Sequence, residues 1–356
     1  MAFRKTEKDD FPLNNGKTML SRLSILIVTY RRDDLLGACL TSIRAACPAM
    51  PQTVVVDNGD TPETRTLVQS FDNTTYIRSP GNPGFAGGNN IGLPACLGEY
   101  VLLLNNDTLI HDEPFTCMMR YMDEHPSVGA IQAKLQIPHL GNLLDGCGSM
   151  LTWAGNLNPY GFLVKDAPAY GSPYPAFAVN GACLMFRKGV LEQAGGFLFH
   201  GHFKSYFEEI DFCHRLWLSG ADVHYVPTPI VDHHHSLTAS QFPHLDILRQ
   251  YYANVWFSHL TCLDAYGLLR VLPAFSLAYF GHSFLRLCIG QFSFFGIHYR
   301  ALWSVWGNRT FIRQTRARLR AVRKRSSREI FRLVMRSPPI AAYLKLLRDI
   351  IARKTA

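Results

Sequence analysis

At 356 residues, with 47% hydrophobic and 18% charged side chains, the chain is a folded protein of one large or two ordinary domains, with material for a sizeable core. Its nine cysteines form no CxxC pair, which argues against a zinc cluster or a disulfide framework and fits a reducing compartment. The net charge of +9 is uneven: residues 313–336 hold ten Lys/Arg against one acid and 337–356 four against one, while 1–312 hold 22 basic and 25 acidic residues, so a mildly acidic body precedes a basic tail suited to an anionic surface.

In chain order, the opening MAFRKTEKDDFPLNNGK is polar and lacks an apolar h-region, so no cleaved signal peptide is expected there. The β-branched run at 24–29 (SILIVT) predicts a strand. Residues 33–46 have helical spacing, with Leu35, Leu36, Cys39, Leu40 and Ile43 on one stripe, and Pro48 ends them. A strand at 53–56 runs into the turn Asp57-Asn58-Gly59, and a short strand follows at 75–78. The segment SPGNPGFAGGNNIG (79–92) is a loop rich in Gly, Asn and Pro that leads into a helix predicted over 85–97. The apolar run at 100–104 then stops on Asn105-Asn106-Asp107. This alternation predicts an α/β domain whose parallel sheet is covered on both faces.

In such sheets ligands bind beyond the carboxyl ends of the strands. Thr29, Asp57, Asn105, Asn106 and Asp107 all stand at strand ends, so parallel strands bring them to one edge. Each alone could cap a turn; together they favour a site. The glycines of 79–92 permit close backbone approach, and a helix N-terminus attracts phosphate, although a plain flexible loop reads the same way.

The middle of the chain carries YFEEIDFCHRLWL (206–218), with Ile210, Cys213 or His214, and Trp217 at helical spacing. Glu208 and Asp211 share a face of that helix, and Glu209 points about 100° away from Glu208. Asp211 and Arg215 form an i,i+4 ion pair. An acidic helix start that favours the dipole is the competing explanation. Three consecutive histidines begin at His233, solvated or facing a ligand. Towards the end, 271–285 has no Asp, Glu, Lys or Arg, and after Arg286 the same holds to Tyr299. Spanning a bilayer takes about 20 apolar residues, and Pro273, His282 and Arg286 interrupt this stretch. It reads as an interfacial helical region, with a soluble helical subdomain as the alternative. The basic stretch beside it suits an anionic leaflet, at about 1 kcal/mol per basic residue near the surface. A nucleic-acid partner is the lesser alternative, since no nucleic-acid fold signature accompanies the stretch.

Seven segments in order, ILIVTYRR, VVVDNGD, NPGFAGGNN, LLLNNDT, VNGACLMFRKGVLEQAGGF, YFEEIDFCHRLWLSG and VDHHHSLTAS, resemble glycosyltransferase family 2 over about 22–240, within it the bacterial rhamnosyltransferase-like members. The resemblance implies the GT-A fold, a Rossmann-like, mostly parallel sheet flanked by helices, followed by a C-terminal helical, membrane-associating region. The resemblance bounds a catalytic domain (22–240), preceded by a flexible N-terminus (1–21); outside it, composition and charge mark an aromatic, apolar interfacial region (241–310) and a basic helical tail (311–356). It implies inverting, metal-dependent transfer of a sugar, rhamnose as first choice, from a nucleotide-diphosphate donor to a polyprenyl-diphosphate-linked glycan acceptor in surface polysaccharide synthesis. The place of action would be the cytoplasmic face of the plasma membrane, bound peripherally or monotopically, and a homo-oligomer stays open. Asn105-Asn106-Asp107 takes the place of the family's DxD motif, with Asp107 and His233 as ligands of Mg²⁺ or Mn²⁺. Thr29, Tyr30, Asp57, Asn82, Gly84, Asn89, Asn105 and Asn106 match positions that hold the nucleotide-sugar. Glu209 matches the base, with Glu208 as fallback and Asp211 beside them. Asn105 and Glu209 replace the family's usual Asp, which leaves a catalytically silent nucleotide-sugar or glycan-binding scaffold as the alternative. YYANVWF (251–257) is similar to the family's Tyr-Tyr-x-x-Arg-Asn element without its arginine.

Overall fold

The structure, a computed structural model, describes residues 19–234 and 244–336. The expectations for most of the N-terminal segment, for His235 and the rest of its motif, and for the tail beyond 336 lie outside the described residues. Strands and helices alternate first: β1 (Leu23–Thr29), α1 (Asp33–Ala46), β2 (Gln52–Asp57), α2 (Pro62–Gln69), β3 (Thr74–Arg78), α3 (Gly84–Gly92) and β4 (Tyr100–Leu104). Helix α2 was not expected from the sequence, although Thr61 caps it by accepting from the Thr64 amide at 3.3 Å and Pro62 starts it. The helix expected over 85–97 is shorter than that: α3 stops at Gly92, and a 3-10 turn follows over Leu93–Ala95, where Pro94 has no N–H to continue the ladder.

Next come β5 (Thr108–Ile110), α4 (Phe115–Glu124), β6 (Val128–Ile137), β7 (Leu143–Leu144), the hairpin of β8 (Ser149–Leu151) and β9 (Leu157–Pro159), β10 (Tyr174–Pro175), β11 (Cys183–Arg187), α5 (Val190–Gln193), α6 (Glu208–Ser219) and β12 (Asp222–His233). The main sheet has the order β10-β12-β6-β11-β4-β1-β2-β3, with β5 on β12 and β7 on β6. It is parallel from β4 through β1 and β2 to β3. Beyond β4 it is mixed, because β11 runs antiparallel between β4 and β6. Successive β1 residues alternate between two buried cores: Ile25 and Ile27 pack with α1 and α4, while Leu26 packs with α6 and the C-terminal helices. This double burial is why β1 and β4 read as continuous apolar runs.

The C-terminal helices are α7 (His244–Cys262), α8 (Ala265–Cys288), α9 (Phe292–Gly307), α10 (Arg309–Val322) and α11 (Ser327–Val334). The basic segment, where described, is docked on the body and not a free solvated helix. Arg316 donates to the carbonyls of Leu260 (2.7 Å) and Leu263 (2.6 Å), and Arg323 to that of Cys262, so these cations satisfy the last carbonyls of α7. Arg325 pairs with Asp222 at 2.7 Å, and Leu319 and Ile330 are buried.

Candidate active site

The carboxyl ends of β1, β2 and β4 meet at one edge. Thr29 and Asp57 are register partners in the β1–β2 ladder, and the Asn106 amide donates to Thr29 Oγ1 at 3.0 Å. Asp57 is buried. Its Oδ1 accepts from the Gly59 amide (2.8 Å), and its Oδ2 from the Thr61 amide (3.0 Å) and the Tyr76 hydroxyl (3.1 Å), so it holds the turn after β2 in shape. Tyr30 is half-buried at the same edge, its ring 5.4 Å from the Arg31 guanidinium carbon.

The glycine-rich loop is fastened to this edge. The Asn58 amide donates to the Gly84 carbonyl (3.0 Å), and Asn82 Oδ1 accepts from the Gly84 N–H (3.0 Å). Gly84 has φ +78°, and a Cβ there would stand 2.3 Å from the Lys204 carbonyl oxygen, so only glycine fits. The Ala86 N–H donates to that same carbonyl at 2.9 Å. Asn89 does not share the loop's exposure. It is buried inside α3, where its amide nitrogen donates back to the Phe85 carbonyl at 2.9 Å while its Oδ1 is covered and has no hydrogen-bond partner among the described residues.

At the end of β4, the antiparallel β5–β12 ladder pairs Thr108 with His233 and so carries His233 beside Asp107. His233 Nε2 is 3.2 Å from Asp107 Oδ1 and 3.3 Å from Asn105 Nδ2, while its Nδ1 is 2.5 Å from Asp145 Oδ2. Burial pulls the imidazole down, but the hydrogen bonds to Asp107 and Asp145 outweigh it and lift His233 to about 9. The Asn180 amide donates to Asp145 at 3.4 Å, and Gln132 links Asn180 N (2.7 Å) to the Gly146 carbonyl (2.8 Å).

This arrangement fits a divalent ion. While His233 is protonated the 3.2 Å contact is an ion pair; with the Nε2 proton displaced, the same carboxylate oxygen and imidazole nitrogen would stand as neighbouring ligands of a hard cation bound at about 2.1 Å. A carboxylate on the far nitrogen is the usual device for orienting a ligand histidine. Among the described residues no three His, Cys, Asp or Glu converge as a complete metal cage, so the remaining ligands would come from a bound diphosphate. Asp145 could not be found from the sequence. It sits in a Leu-Asp-Gly turn between β7 and β8 that carries no motif.

The acidic pair stands at the first turn of α6, whose start is later than 206 because Tyr206 (φ +67°) and Phe207 (φ +75°) both take the left-handed conformation. Such geometry costs about 1–3 kcal/mol per residue and persists only where surroundings enforce it. Glu208 is buried and Glu209 half-buried, yet Oε2 of each is covered and makes no hydrogen bond among the described residues. Burial lifts the Glu209 carboxyl to about 7. Burial, then the neighbouring Glu209 charge, lifts Glu208 well above the usual range. Both carboxyls are thus held towards their protonated forms by burial. Gly181 connects the pair to the metal side: a Cβ there would be 3.6 Å from Glu209 Cβ and 3.5 Å from Phe85 of the glycine-rich loop, and its neighbour Asn180 holds Asp145.

Asp211 belongs elsewhere. It is buried in the core, with Arg215 Nε at 2.9 Å, His200 at 3.3 Å and the Cys262 thiol donating at 3.6 Å. Arg215 also donates to the carbonyls of Ala194, Phe197 and Leu198. Burial pushes His200 down to about 4, leaving it neutral at pH 7. Burial raises the Asp211 carboxyl, but His200 and the charge and hydrogen bond of Arg215 together hold it below the usual range. The catalytic place expected for Asp211 gives way to a structural one, because its side chain satisfies a buried guanidinium and never reaches the edge.

Comparison with known proteins points the same way. Residues 24–193 match the family described as "Glycosyl transferase family 2". A low-salt glycan biosynthesis hexosyltransferase of Haloferax volcanii is 30% identical over 204 residues, 56% of this chain and 62% of that protein, so the chain spans less than two thirds of its length. An N-acetylglucosaminyl-diphospho-decaprenol L-rhamnosyltransferase of Mycobacterium tuberculosis is 24% identical over 248 residues, 63% of this chain and 80% of that one. Among solved structures, residues 1–349 of S. aureus TarS superpose with a TM-score of 0.51 at 16% identity, covering 85% of this chain and 88% of that one, a likeness of fold.

Proposed function

We propose, from the premise that residues 24–193 form a glycosyltransferase family 2 domain, that the protein moves a sugar from a nucleotide-diphosphate donor to a hydroxyl of a lipid-linked glycan, with inversion at the anomeric carbon. The observation that carries this reading is the pair of unpartnered, buried carboxyl oxygens on Glu208 and Glu209, across Gly181 and Asn180 from the Asp107–His233 cluster. A buried polar atom without a partner calls for an explanation, and a substrate that supplies the missing bond provides one.

Thr29, Tyr30 and the turn shaped by Asp57 take the nucleoside, while the loop at Asn82 and Gly84 takes the phosphates at the N-terminus of α3. Asp107 and His233 hold Mg²⁺ or Mn²⁺, with Asn105 beside them and Asp145 fixing the imidazole; the ion, when bound, stabilises the charge that develops on the leaving diphosphate. Glu209, its carboxyl lifted by burial, accepts the proton of the acceptor hydroxyl, with Glu208 beside it. A relative that carries rhamnose to a decaprenol-linked acceptor supports rhamnose and a polyprenyl-diphosphate-linked glycan as first choices.

The membrane side of the reading rests on the C-terminal helices. Residues 265–328 contain no Asp or Glu. α8 is long and apolar enough to cross a membrane by length and composition, yet its Val271, Phe275 and Tyr279 are buried against the body. Its outward face instead exposes Leu269, Leu277 and Phe284, and α9 exposes Trp303 (76%) and Trp306 (66%). A cavity of 510 Å³ between α9 and α10 is lined by Trp256, Trp303 and Trp306 and edged by Arg309 and Arg313. Aromatic side chains next to arginines suit the headgroup level of an anionic bilayer, with the helices lying on its cytoplasmic face.

The deciding experiment is release of nucleoside diphosphate from a panel of UDP-, GDP- and dTDP-sugars, with and without Mn²⁺ and a polyprenyl-diphosphate-linked acceptor, alongside thermal shift. Metal-dependent release that needs the acceptor is the expected result. Donor binding with no release under any condition would return the protein to a scaffold role.

A further inference from the structure

The segment Lys204–Ser205–Tyr206–Phe207 touches both halves of the site. At its start, the Lys204 carbonyl accepts from the Ala86 N–H at 2.9 Å and Ser205 Oγ accepts from the Phe85 N–H at 3.3 Å, so it secures the first turn of α3 and the loop before it. At its end, two successive aromatic residues with positive φ lead directly into Glu208 and Glu209. Such a pair of bulky residues does not hold this shape unaided. The restraint comes from outside the catalytic fold. Asn254, buried on α7, donates from one amide nitrogen to the Tyr206 carbonyl at 2.7 Å and to the Ser205 carbonyl at 3.3 Å. One turn earlier on the same helix, Tyr251 packs edge-on against the Phe207 ring, with centroids 5.8 Å apart.

We propose that Asn254 is a positioning residue for transfer: its amide clamps the 204–207 segment and so sets Glu208 and Glu209 at a fixed place relative to the donor loop. Asn254 is buried on α7, outside the strand-end edge. Its effect passes through two successive backbone carbonyls at the bend. This role rests on the glycosyltransferase reading for its kinetic consequence, but the clamp itself is a property of the fold.

Asn254→Asp is the informative variant, because an ionised carboxylate keeps the size of the side chain but cannot donate to a carbonyl. Misplacement by about 1 Å costs on the order of 10²-fold in turnover. The expected result is a kcat loss of that order with donor KM changed only a few-fold, and a displaced ionisation in the pH–rate profile as the surroundings of Glu209 loosen. Asn254→Gln, which keeps an amide donor, should recover part of kcat. Adding Tyr206→Asn to Asn254→Ala should do likewise, since asparagine tolerates the left-handed conformation. Folded Asp and Ala variants with native kcat and a native pH profile would overturn the proposal. Should Asn254→Asp melt far below the native protein, Asn254→Ala decides by the same readouts. Amide hydrogen exchange tests the clamp independently of turnover: faster exchange at 84–86 and 204–209 in the variants supports it, and unchanged exchange there overturns it. Absence of any transfer by the native protein would therefore strike the glycosyltransferase reading alone.

Discussion

His233 Nε2 and Asp107 Oδ1 stand 3.2 Å apart, brought together across the chain by the pairing of β12 with β5 and held there by Asp145 on the opposite ring nitrogen. On the proposed reading Asp107, His233 and Asn105 fall short of a full coordination shell. Mn²⁺ should therefore bind weakly alone and tightly with a nucleoside diphosphate. Asp145→Asn should lower metal affinity or turnover about 10–100-fold, as loss of an orienting partner does. Calorimetric titration of Mn²⁺ with and without nucleotide checks both statements, and native affinity in Asp145→Asn would contradict them.

Glu209→Gln should lower turnover by about 10²–10⁴-fold, the usual contribution of a positioned base, with donor affinity nearly unchanged. Rapid-mix assays beside equilibrium nucleotide binding separate the two effects. If Glu208→Gln is the more damaging change, the roles of the two carboxyls are exchanged.

The same residue ties activity and stability to pH with opposite signs. Glu209 titrates at about 7 in the fold against an ordinary 4.5. Between those values the folded state keeps a proton that the unfolded chain releases, so this group's contribution to stability is complete below about 4.5 and is lost as pH rises through about 7. With Glu209 as the proposed base, turnover should rise through the same range. Denaturant unfolding of native protein and Glu209→Gln at pH 5 and pH 8 should show the native protein losing ground relative to the variant as pH increases.

Asp211→Ala strips the partner from a buried arginine and should destabilise the fold by about 3–5 kcal/mol. Its loss of activity should follow loss of folded protein, with kcat per folded molecule largely kept. A variant that folds normally and is inactive would restore Asp211 to the catalytic group.

Replacing Trp303 and Trp306 by serine should weaken sedimentation with vesicles containing anionic lipid and leave turnover on a soluble acceptor intact. Changing Arg309 and Arg313 to glutamine should remove most of the salt dependence of that binding. Equal binding to neutral and anionic vesicles would argue against the basic edge as a headgroup contact.

Much of the edge was legible in the sequence. Thr29, Asp57 and Asn105–Asp107 follow apolar runs, and the parallel arrangement of those runs is enough to align their ends. His233 could be found through its motif but not its partner, since the β5–β12 ladder joins segments far apart in the chain. Asn89 and Asp211 show the limit from the other direction. Their residue types suit a ligand, yet helical phase turns both inward, and only packing reveals which side of a helix is inside.

Local order thus belongs to the chain's own pattern: periodicity sets strand or helix, and glycine or asparagine marks the turns, because these depend on neighbours a few residues away. What the fold alone decided is the company each polar group keeps. Asp145 on His233, Asn254 on the bend before Glu208, and the burial that lifts Glu209 towards neutrality all arise from contacts between distant segments. Hydrogen bonds and desolvation act over a few ångströms of space, and one-dimensional spacing does not carry that distance.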